Sequence, residues 1–451
     1  MTQAPINALA ASRDIFNTRA PRYTSYPPAT QFTDAVGPAQ AMEWLADIPA
    51  GQPVSLYAHI PFCRRLCWFC ACRTQGTKTD APLSPYVEAL LAEADLVTDA
   101  LRNPITVSHL HLGGGTPTIL PPTLMRSLFH GLSARFPSAP GAEISVEVDP
   151  TEQDGPRLDA LAAAGVNRAS VGIQDFEEDV QQAIGRPQTP EQTAEAVLGL
   201  RARGIARVNF DLLYGLPHQT AQTLSRTLDI ALEMHPDRLA LYGYAHVPWA
   251  SKRQVMIDGA TLPAGPARLA LAEMAARRLE AAGYQRIGID HFARPDDPMA
   301  IAARTGHLHR NFQGYTTDTA QTLIGLGASA ISRLPGGHAQ NAARTADWRD
   351  RVRTGRLATT RGHAMTPDDD LRADMIERLL CDFTLVPAQF GDQAQAVRRH
   401  TAEIVLAWPN ACTRVPDGTL AILPKARPLA RMIAMELDAY ANPDGRHSVA
   451  I

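Results

Sequence analysis

"VSLYAHIPFCRRLCWFCACRTQGTKT", Val54 to Thr79, joins a short β-branched, apolar run to a loop holding four of the chain's six cysteines. The run reads as a buried strand, and the residues after it as a loop at that strand's carboxyl end. Similar runs recur downstream: "VSHLHLGGG", "EISVEVDP", "RASVGIQDF", "RVNFDLLYGLP" and "RLALYGYAHVP". Ala/Leu-rich helical stretches such as "SPYVEALLAEADLVTDAL" and "PEQTAEAVLGLRARG" lie between them. Strands alternating with helices imply an α/β fold, a parallel sheet wrapped by helices. Several strands end in residues that stability alone would not select: the glycines 113 to 115, Glu147, Gln174, Asp211 and His246. In such folds the carboxyl ends of strands carry the chemistry, so these groups are expected to meet in one site.

The flanks read differently. Residues 1 to 50 are rich in Pro, Thr and Ala, and "APRYTSYPPATQF" reads as an extended, turn-prone arm. From residue 365 the βα rhythm stops, and "TPDDDLRADMIERLLCDF" opens a helical stretch with Pro at its second position and acidic residues in its first turn. The expected organisation is an arm (1–50), a catalytic α/β domain (51–364) and a small, mostly helical C-terminal domain (365–451).

At 451 residues the chain exceeds one ordinary core, and 45% hydrophobic with 20% charged residues describes a packed protein. A net charge of −3 gives no general electrostatic reason for a nucleic-acid or anionic-membrane partner. No apolar run is long enough to span a bilayer, and "MTQAPINALAASRDIF" lacks the pattern of a signal peptide, so the expected location is cytoplasmic. A reducing compartment argues against disulfides and for metal binding or thiol chemistry. Cys381 and Cys412 stand alone and read as ordinary semi-buried thiols.

Cys63, Cys67 and Cys70 follow the spacing C-x3-C-x2-C, with Cys72 two residues on. A structural zinc site brings two ligand arms, and no second arm is evident. An iron–sulfur cluster fits better, because thiolates of one tight loop can cap neighbouring irons and leave one iron open. Zinc and a thiol redox site are the weaker readings. The triple glycine of "HLGGGTPTIL" lets a ligand approach the backbone closely, yet it matches neither nucleotide-phosphate pattern.

Taken together, "RYTSYPPA", "YAHIPFCRRLCWFCAC", "GGGTPT", "EVDP", "GIQDF", "DLLYGLPHQT", "YGYAHVP" and "RNFQGYTT" resemble, in order and spacing, the oxygen-independent coproporphyrinogen III oxidases (coproporphyrinogen dehydrogenases) of the radical S-adenosylmethionine (SAM) superfamily. The likeness runs from about residue 13 to "RHSVAI". It implies a partial (β/α)6 TIM-like barrel, a radical SAM core, and a monomer. It implies a 4Fe-4S cluster on Cys63, Cys67 and Cys70, and two SAM molecules. Tyr57, Gly113, Glu147 and Ile331 would contact the first SAM. Phe69, Gly114, Gly115, Gln174, Arg186, Asp211 and Ala245 would hold the second. Cys72 would serve activity without ligating the cluster, and Phe312 and Gln313 would lie near the reacting centre.

The implied reaction is oxidative decarboxylation of coproporphyrinogen III to protoporphyrinogen IX in haem biosynthesis. An external one-electron donor, flavodoxin- or ferredoxin-like, and a separate electron acceptor are implied, and 5′-deoxyadenosyl radicals would abstract a propionate β-hydrogen. Arg22 in the arm is a candidate anchor for the anionic propionates.

On residue type alone, Glu147 reads equally as a strand-end carboxylate paired with an arginine, Arg186 as a solvated cation at a helix end, and His59 as a hydrogen-bonding histidine. Asp211 and Gln174 stand in apolar strand contexts, where burial without partners would be costly. Rival readings are a haem-chaperone relative, an anaerobic haem-degrading enzyme on the same scaffold, and a zinc-stabilised binding module. "CWFCAC" departs from the C-x-Y-C-D-F pattern of the haem chaperones, and an intact "RNFQGYTT" weighs against haem degradation.

Overall fold

The computed structural model describes residues 14–441 and 447–449. The first thirteen residues of the arm and part of "RHSVAI" therefore lie outside the described residues. Seven parallel strands form the centre of a twelve-stranded sheet: β1 (Pro53–Ile60), β2 (Thr106–Gly114), β3 (Ser138–Val148), β4 (Arg168–Gln174), β5 (Arg207–Tyr214), β6 (Arg238–Gly243) and β7 (Thr322–Leu326). Their order is β7-β1-β2-β3-β4-β5-β6, with helices in the crossovers from β1 to β6. Antiparallel strands extend both ends, His291–Ala293 and Gln285–Ile287 beyond β6, and Ile331–Leu334, Gly337–Asn341 and Thr359–Ala364 beyond β7. Among the described residues no hydrogen bonds join the two ends, so this is an α/β partial barrel, as expected.

The strands alternate in a way that builds the site. On β5, Val208, Phe210 and Leu212 are fully buried, whereas Asn209 and Asp211 face the other way, into the lumen. On β2, Leu110 and Leu112 join the core and His111 faces the lumen. Period-two alternation sends successive side chains to opposite faces, so one residue of each pair packs under the helices and the next points inward. Lumens of closed barrels are normally filled by branched apolar side chains. Here Ser145, Glu147, Ser170, Asn209 and Asp211 surround a cavity of about 370 Å³.

The floor of this lumen is a belt of buried ions. Arg168 Nε donates to Glu143 Oε2 at 2.9 Å and Nη1 to Asn209 Oδ1 at 2.8 Å, while Arg238 Nε donates to Asp297 Oδ1 at 2.8 Å. His109 Nδ1 lies 3.0 Å from Asp318. The belt replaces the apolar plug of an ordinary barrel and seals one end.

β7, absent from the strands predicted above, is tied to the helix Leu83–Ala100 by a buried carboxylate. Glu93 accepts from Gly327 N at 2.6 Å and from Asn341 Nδ2 at 2.7 Å. Burial lifts its carboxyl to about 7, against those hydrogen bonds. The folded chain thus keeps a proton that the unfolded chain releases at lower pH. The contribution of Glu93 to stability is full below its unfolded pKa and is lost as pH rises toward 7. The melting temperature of the wild type is expected to fall more steeply than that of Glu93→Gln between pH 5 and 7, as thermal denaturation at stepped pH would show.

Beyond the sheet, Pro367–Cys381 forms the predicted helix, with Pro at its first position and a capping box between Thr366 and Asp369. It packs with Ala394–Ala407 and Ala430–Ala434 around a second core that includes Leu379, Val397, Ile404 and Trp408. The arm enters this core: Tyr23 donates to Asp438 at 3.1 Å, and Tyr26 Oη accepts from Ala439 N at 3.0 Å. Residues 20–28 of the arm are without helix, while Pro38–Ala46 is helical. Among the described residues no helix is long and apolar enough to cross a membrane.

Candidate active site

The cysteine loop sits at the carboxyl end of β1 and is pinned from three sides. Gln75 N donates to Pro61 O at 2.7 Å and Thr77 N to Cys63 O at 3.0 Å, closing the loop on itself. Trp68 N donates to Ile184 O at 2.9 Å, and its ring lies where a Cβ on Gly185 would stand. The turn after β6 supplies the third side, with Gln254 Nε2 donating to Phe69 O at 2.7 Å and Ser251 Oγ to Cys70 O at 2.9 Å.

All six cysteines are free, and Cys381 and Cys412 are buried. Cys67 is buried, with Arg186 Nη1 3.4 Å from its sulfur. The Cys72 thiol hydrogen-bonds Cys70 and lowers it to about 6, with burial opposing. Cys72 itself is shifted up, first by that same hydrogen bond. Among the described residues no three His, Cys, Asp or Glu side chains converge closely enough to hold one metal ion. A cubic cluster instead takes one thiolate at each of three separate irons. A loop of three free thiols, one drawn toward thiolate and one facing a cation, fits that group.

Arg186 is not the solvated cation that residue type suggests. It is 7% exposed, donates to Gly172 O at 2.7 Å and lies 3.1 Å from Asp149. Among the described residues Glu147 pairs with no arginine: its Oε2 accepts from Gly114 N at 3.0 Å, and its Oε1 stands 3.4 Å from His111 Nε2. Gly114 holds φ +107°, and a Cβ there would fall 2.3 Å from the His59 ring. A Cβ on Gly115 would meet Phe62 O at 2.6 Å. The glycines let β2 turn tightly against the cysteine loop, while Glu147 orients the turn from β3.

Tyr57, Cys72, Gly114, Glu147, Asp211, Phe312 and Gln313 line the one lumen cavity. Tyr57 stacks on His111, with 5.9 Å between centroids, and meets the edge of Phe312 at 4.6 Å. Asp211 accepts from Ser170 Oγ at 2.9 Å, and burial, reinforced by Glu147, raises its carboxyl to about 6. Gln174 has the left-handed φ of +70°, rare for a residue with a side chain, at the end of β4. A Cβ on Gly172 would stand 3.2 Å from Arg186 Nη2 and 3.3 Å from Gln174 Nε2. Phe69 packs on an apolar cluster with Leu213, Leu216 and Tyr244, and Ala245 O accepts from Gln254 at 3.1 Å.

Ile331 is not brought into the lumen. It borders a second cavity of about 150 Å³ between the arm, β7 and the helix Pro367–Cys381, and Phe312 and Thr316 border both. His59 is a hydrogen-bonding histidine, as expected: Nδ1 is 2.9 Å from Tyr57 Oη and Nε2 is 3.0 Å from Arg73 O.

Sequence reasoning missed His111, Ser145, Ser170, Tyr242 and His291 as lumen residues. The first three were signalled by polar residues at every second position of their strands. His291 opens a strand of three residues, too short for any period to show.

Three arginines gather where the arm meets the carboxyl end of β6. Arg22 Nη2 donates to Gly243 O at 2.8 Å, Arg268 Nη2 to Tyr244 O at 2.9 Å, and Arg310 Nη2 to Arg22 O at 2.9 Å. Asp290 faces Arg310 and Arg22. Burial alone would raise it, but the His291 hydrogen bond and these cations bring it to about 2. Arg268 Nε and Arg310 Nε and Nη1 are buried without hydrogen-bond partners among the described residues.

Residues 57–231 match the model of the radical SAM superfamily. The chain is 51% identical over 441 residues, 97% of its length and 98% of the relative's, to the oxygen-independent coproporphyrinogen III oxidase of Paracoccus denitrificans. It is 38% identical over 439 residues, 94% of each chain, to that of Pseudomonas aeruginosa. Its structure is similar to that of the Escherichia coli coproporphyrinogen III oxidase, described as a radical SAM enzyme, with a TM-score of 0.88, 38% identity, and 93% of this chain and 98% of the other covered. A polar lumen capped by a three-thiol loop, and identity sustained along nearly the whole chain, place this protein in the radical SAM superfamily and, within it, among the oxygen-independent coproporphyrinogen III oxidases.

Proposed function

We propose that this chain converts coproporphyrinogen III to protoporphyrinogen IX without oxygen, as an oxidoreductase of porphyrin and haem biosynthesis. The reading rests on the polar lumen beneath the cysteine loop, in a chain 51% identical to a relative of that name. Cys63, Cys67 and Cys70 would hold the 4Fe-4S cluster. Cluster and SAM, when bound, would supply the radical chemistry that takes a propionate β-hydrogen; carbon dioxide then leaves, one electron passes to the separate acceptor, and a vinyl group remains.

The chain's own residues do the positioning. In this reading Glu147 holds one SAM by its polar groups, beside Tyr57 and Gly113. A second SAM lies toward Gln174, Arg186 and Asp211, with Phe69, Gly114, Gly115 and Ala245 beside it. Cys72, Phe312 and Gln313 stand next to the reacting carbon. Arg22, Arg268 and Arg310 are the propionate anchors, and the unpartnered guanidinium donors of Arg268 and Arg310 suit a carboxylate's oxygens. The unit from 51 to 364 is catalytic, with the arm and the segment from 365 covering its mouth. The reading also includes a cytoplasmic monomer, served by a flavodoxin- or ferredoxin-like donor and a separate acceptor; the six free thiols accord with a reducing compartment.

An anaerobic turnover assay with reconstituted protein, SAM, reductant, acceptor and coproporphyrinogen III tests this. Protoporphyrinogen and 5′-deoxyadenosine should form together. 5′-Deoxyadenosine without loss of the porphyrinogen would keep the scaffold and discard the substrate. In the same assay Arg310→Ala is expected to raise KM for the porphyrinogen about tenfold or more, the order of one or two charge-assisted hydrogen bonds. SAM affinity should be unchanged.

A further inference from the structure

Beside the cysteine loop lies an open groove of about 710 Å³. Arg73, Lys252, Arg253 and Arg344 line it together with Cys72, and no Asp or Glu is among its lining residues. Asp347 stands 3.8 Å from Arg344 as a counter-charge outside the lining. In a chain of net charge −3, four cations over one groove form a local reversal of sign.

The groove is joined mechanically to the loop. Ser251 and Gln254 hold the carbonyls of Cys70 and Phe69, and Arg253 Nη2 donates to Thr74 O at 2.6 Å. The short helix Lys252–Met256 that carries two of the cations also carries Val255 and Met256, 70% and 61% exposed. Trp249, 43% exposed, precedes it, with Arg19 over its ring. Exposed large apolar side chains beside a ring of charge mark a protein-docking surface more than a solvated face. Cys72 is shared with the lumen cavity, so this groove and the lumen meet at the cysteine loop.

We propose that this groove is the docking surface for the electron donor, a small acidic one-electron carrier protein whose carboxylates meet Arg73, Lys252, Arg253 and Arg344. One electron leaves the carrier's reduced centre and enters at the cysteine loop. No bond is made or broken, and no proton need cross the interface. The proposal rests on the function read above, because it assigns the loop an electron to receive. Charge complementarity of this kind speeds and orients encounter, and weakens with salt.

The test uses an acidic flavodoxin and the double variant Lys252→Glu/Arg344→Glu, at two exposed positions outside the lumen. Binding of oxidised flavodoxin, measured by titration calorimetry, is expected to weaken about tenfold or more in the variant and to weaken with salt in the wild type. Bleaching of the cluster's visible absorption by reduced flavodoxin should slow in parallel, while bleaching by photoreduced deazaflavin, a small neutral reductant, should not. Equal flavodoxin binding and equal bleaching in variant and wild type would overturn the assignment. So would a short DNA duplex that binds more tightly than flavodoxin and is lost on the same substitutions. If deazaflavin bleaches the wild type yet no 5′-deoxyadenosine forms with SAM, the functional reading fails, and the binding result still stands on its own.

Discussion

Cys63→Ser is expected to abolish turnover and 5′-deoxyadenosine formation, with loss of bound iron and of visible absorption. Cys72→Ser is expected to keep both iron and colour while turnover drops by on the order of 10²–10⁴-fold, the range for a positioned acid–base group. The contrast follows from where the two thiols stand. Cys63 closes the strand-end bridge, and its thiol is raised to about 11, chiefly by burial, with the neighbouring thiols adding to the shift and a Thr116 hydrogen bond opposing it. A free thiol with that pKa is protonated at neutral pH, so a bound metal must displace its proton. Cys72 lies two residues further on and lines the lumen. Neither substitution should unfold the chain, since the loop is held by backbone bonds at Pro61, Cys63 and Ile184. Iron analysis, absorption and product chromatography on both variants check the pair. Iron retained in Cys63→Ser, or lost in Cys72→Ser, would reverse the assignments.

Asp297→Ala is expected to destabilise the fold by about 3–5 kcal/mol, the cost of removing one partner from a buried ion pair. Asp297 is 6% exposed and caps the helix Pro298–Thr305 by accepting from Met299 N at 2.7 Å. It also accepts from Arg238 Nε at 2.8 Å, and Arg168 Nη2 lies 3.9 Å away. Two arginines, 2% and 5% exposed, would then share Glu143 alone. Burial and Arg168 already lower Arg238 despite its carboxylate partners. Asp297→Asn, which keeps a side-chain oxygen for the cap but loses the charge, should fall between wild type and alanine. Thermal denaturation of the three proteins reads the order. A drop below about 1 kcal/mol for alanine would mean that water replaces the carboxylate and that the belt is not sealed.

The α/β rhythm, the cysteine loop at the end of β1, the glycine turn after β2, and Glu147 and Asp211 at strand ends were all legible in the chain. Each is a local pattern: a period of two, a fixed cysteine spacing, a run of glycines. Local patterns report backbone geometry and donor chemistry without reference to distant residues. The same limit explains what was misread. Arg186 follows a helix of seven residues and looked like a solvated end-cap, because Asp149 and Cys67 come to it only through the closure of the sheet. Glu147 could have faced an arginine, and the register of β2 on β3 gave it Gly114 and His111 instead.

The strand β7, five residues long after a polar segment, gave no periodic signal and is fixed by pairing with β1. Ile331, Arg310 and the basic groove are likewise products of assembly. The sequence by itself determined the fold class, the cysteine spacing and the family, because these depend on residue type and short-range pattern. Only the tertiary structure decided which charges are buried, which polar residues share the lumen, and which cations are left to face a ligand or a partner. Those outcomes depend on desolvation and pairing between segments up to about three hundred residues apart, such as Arg22 and Arg310.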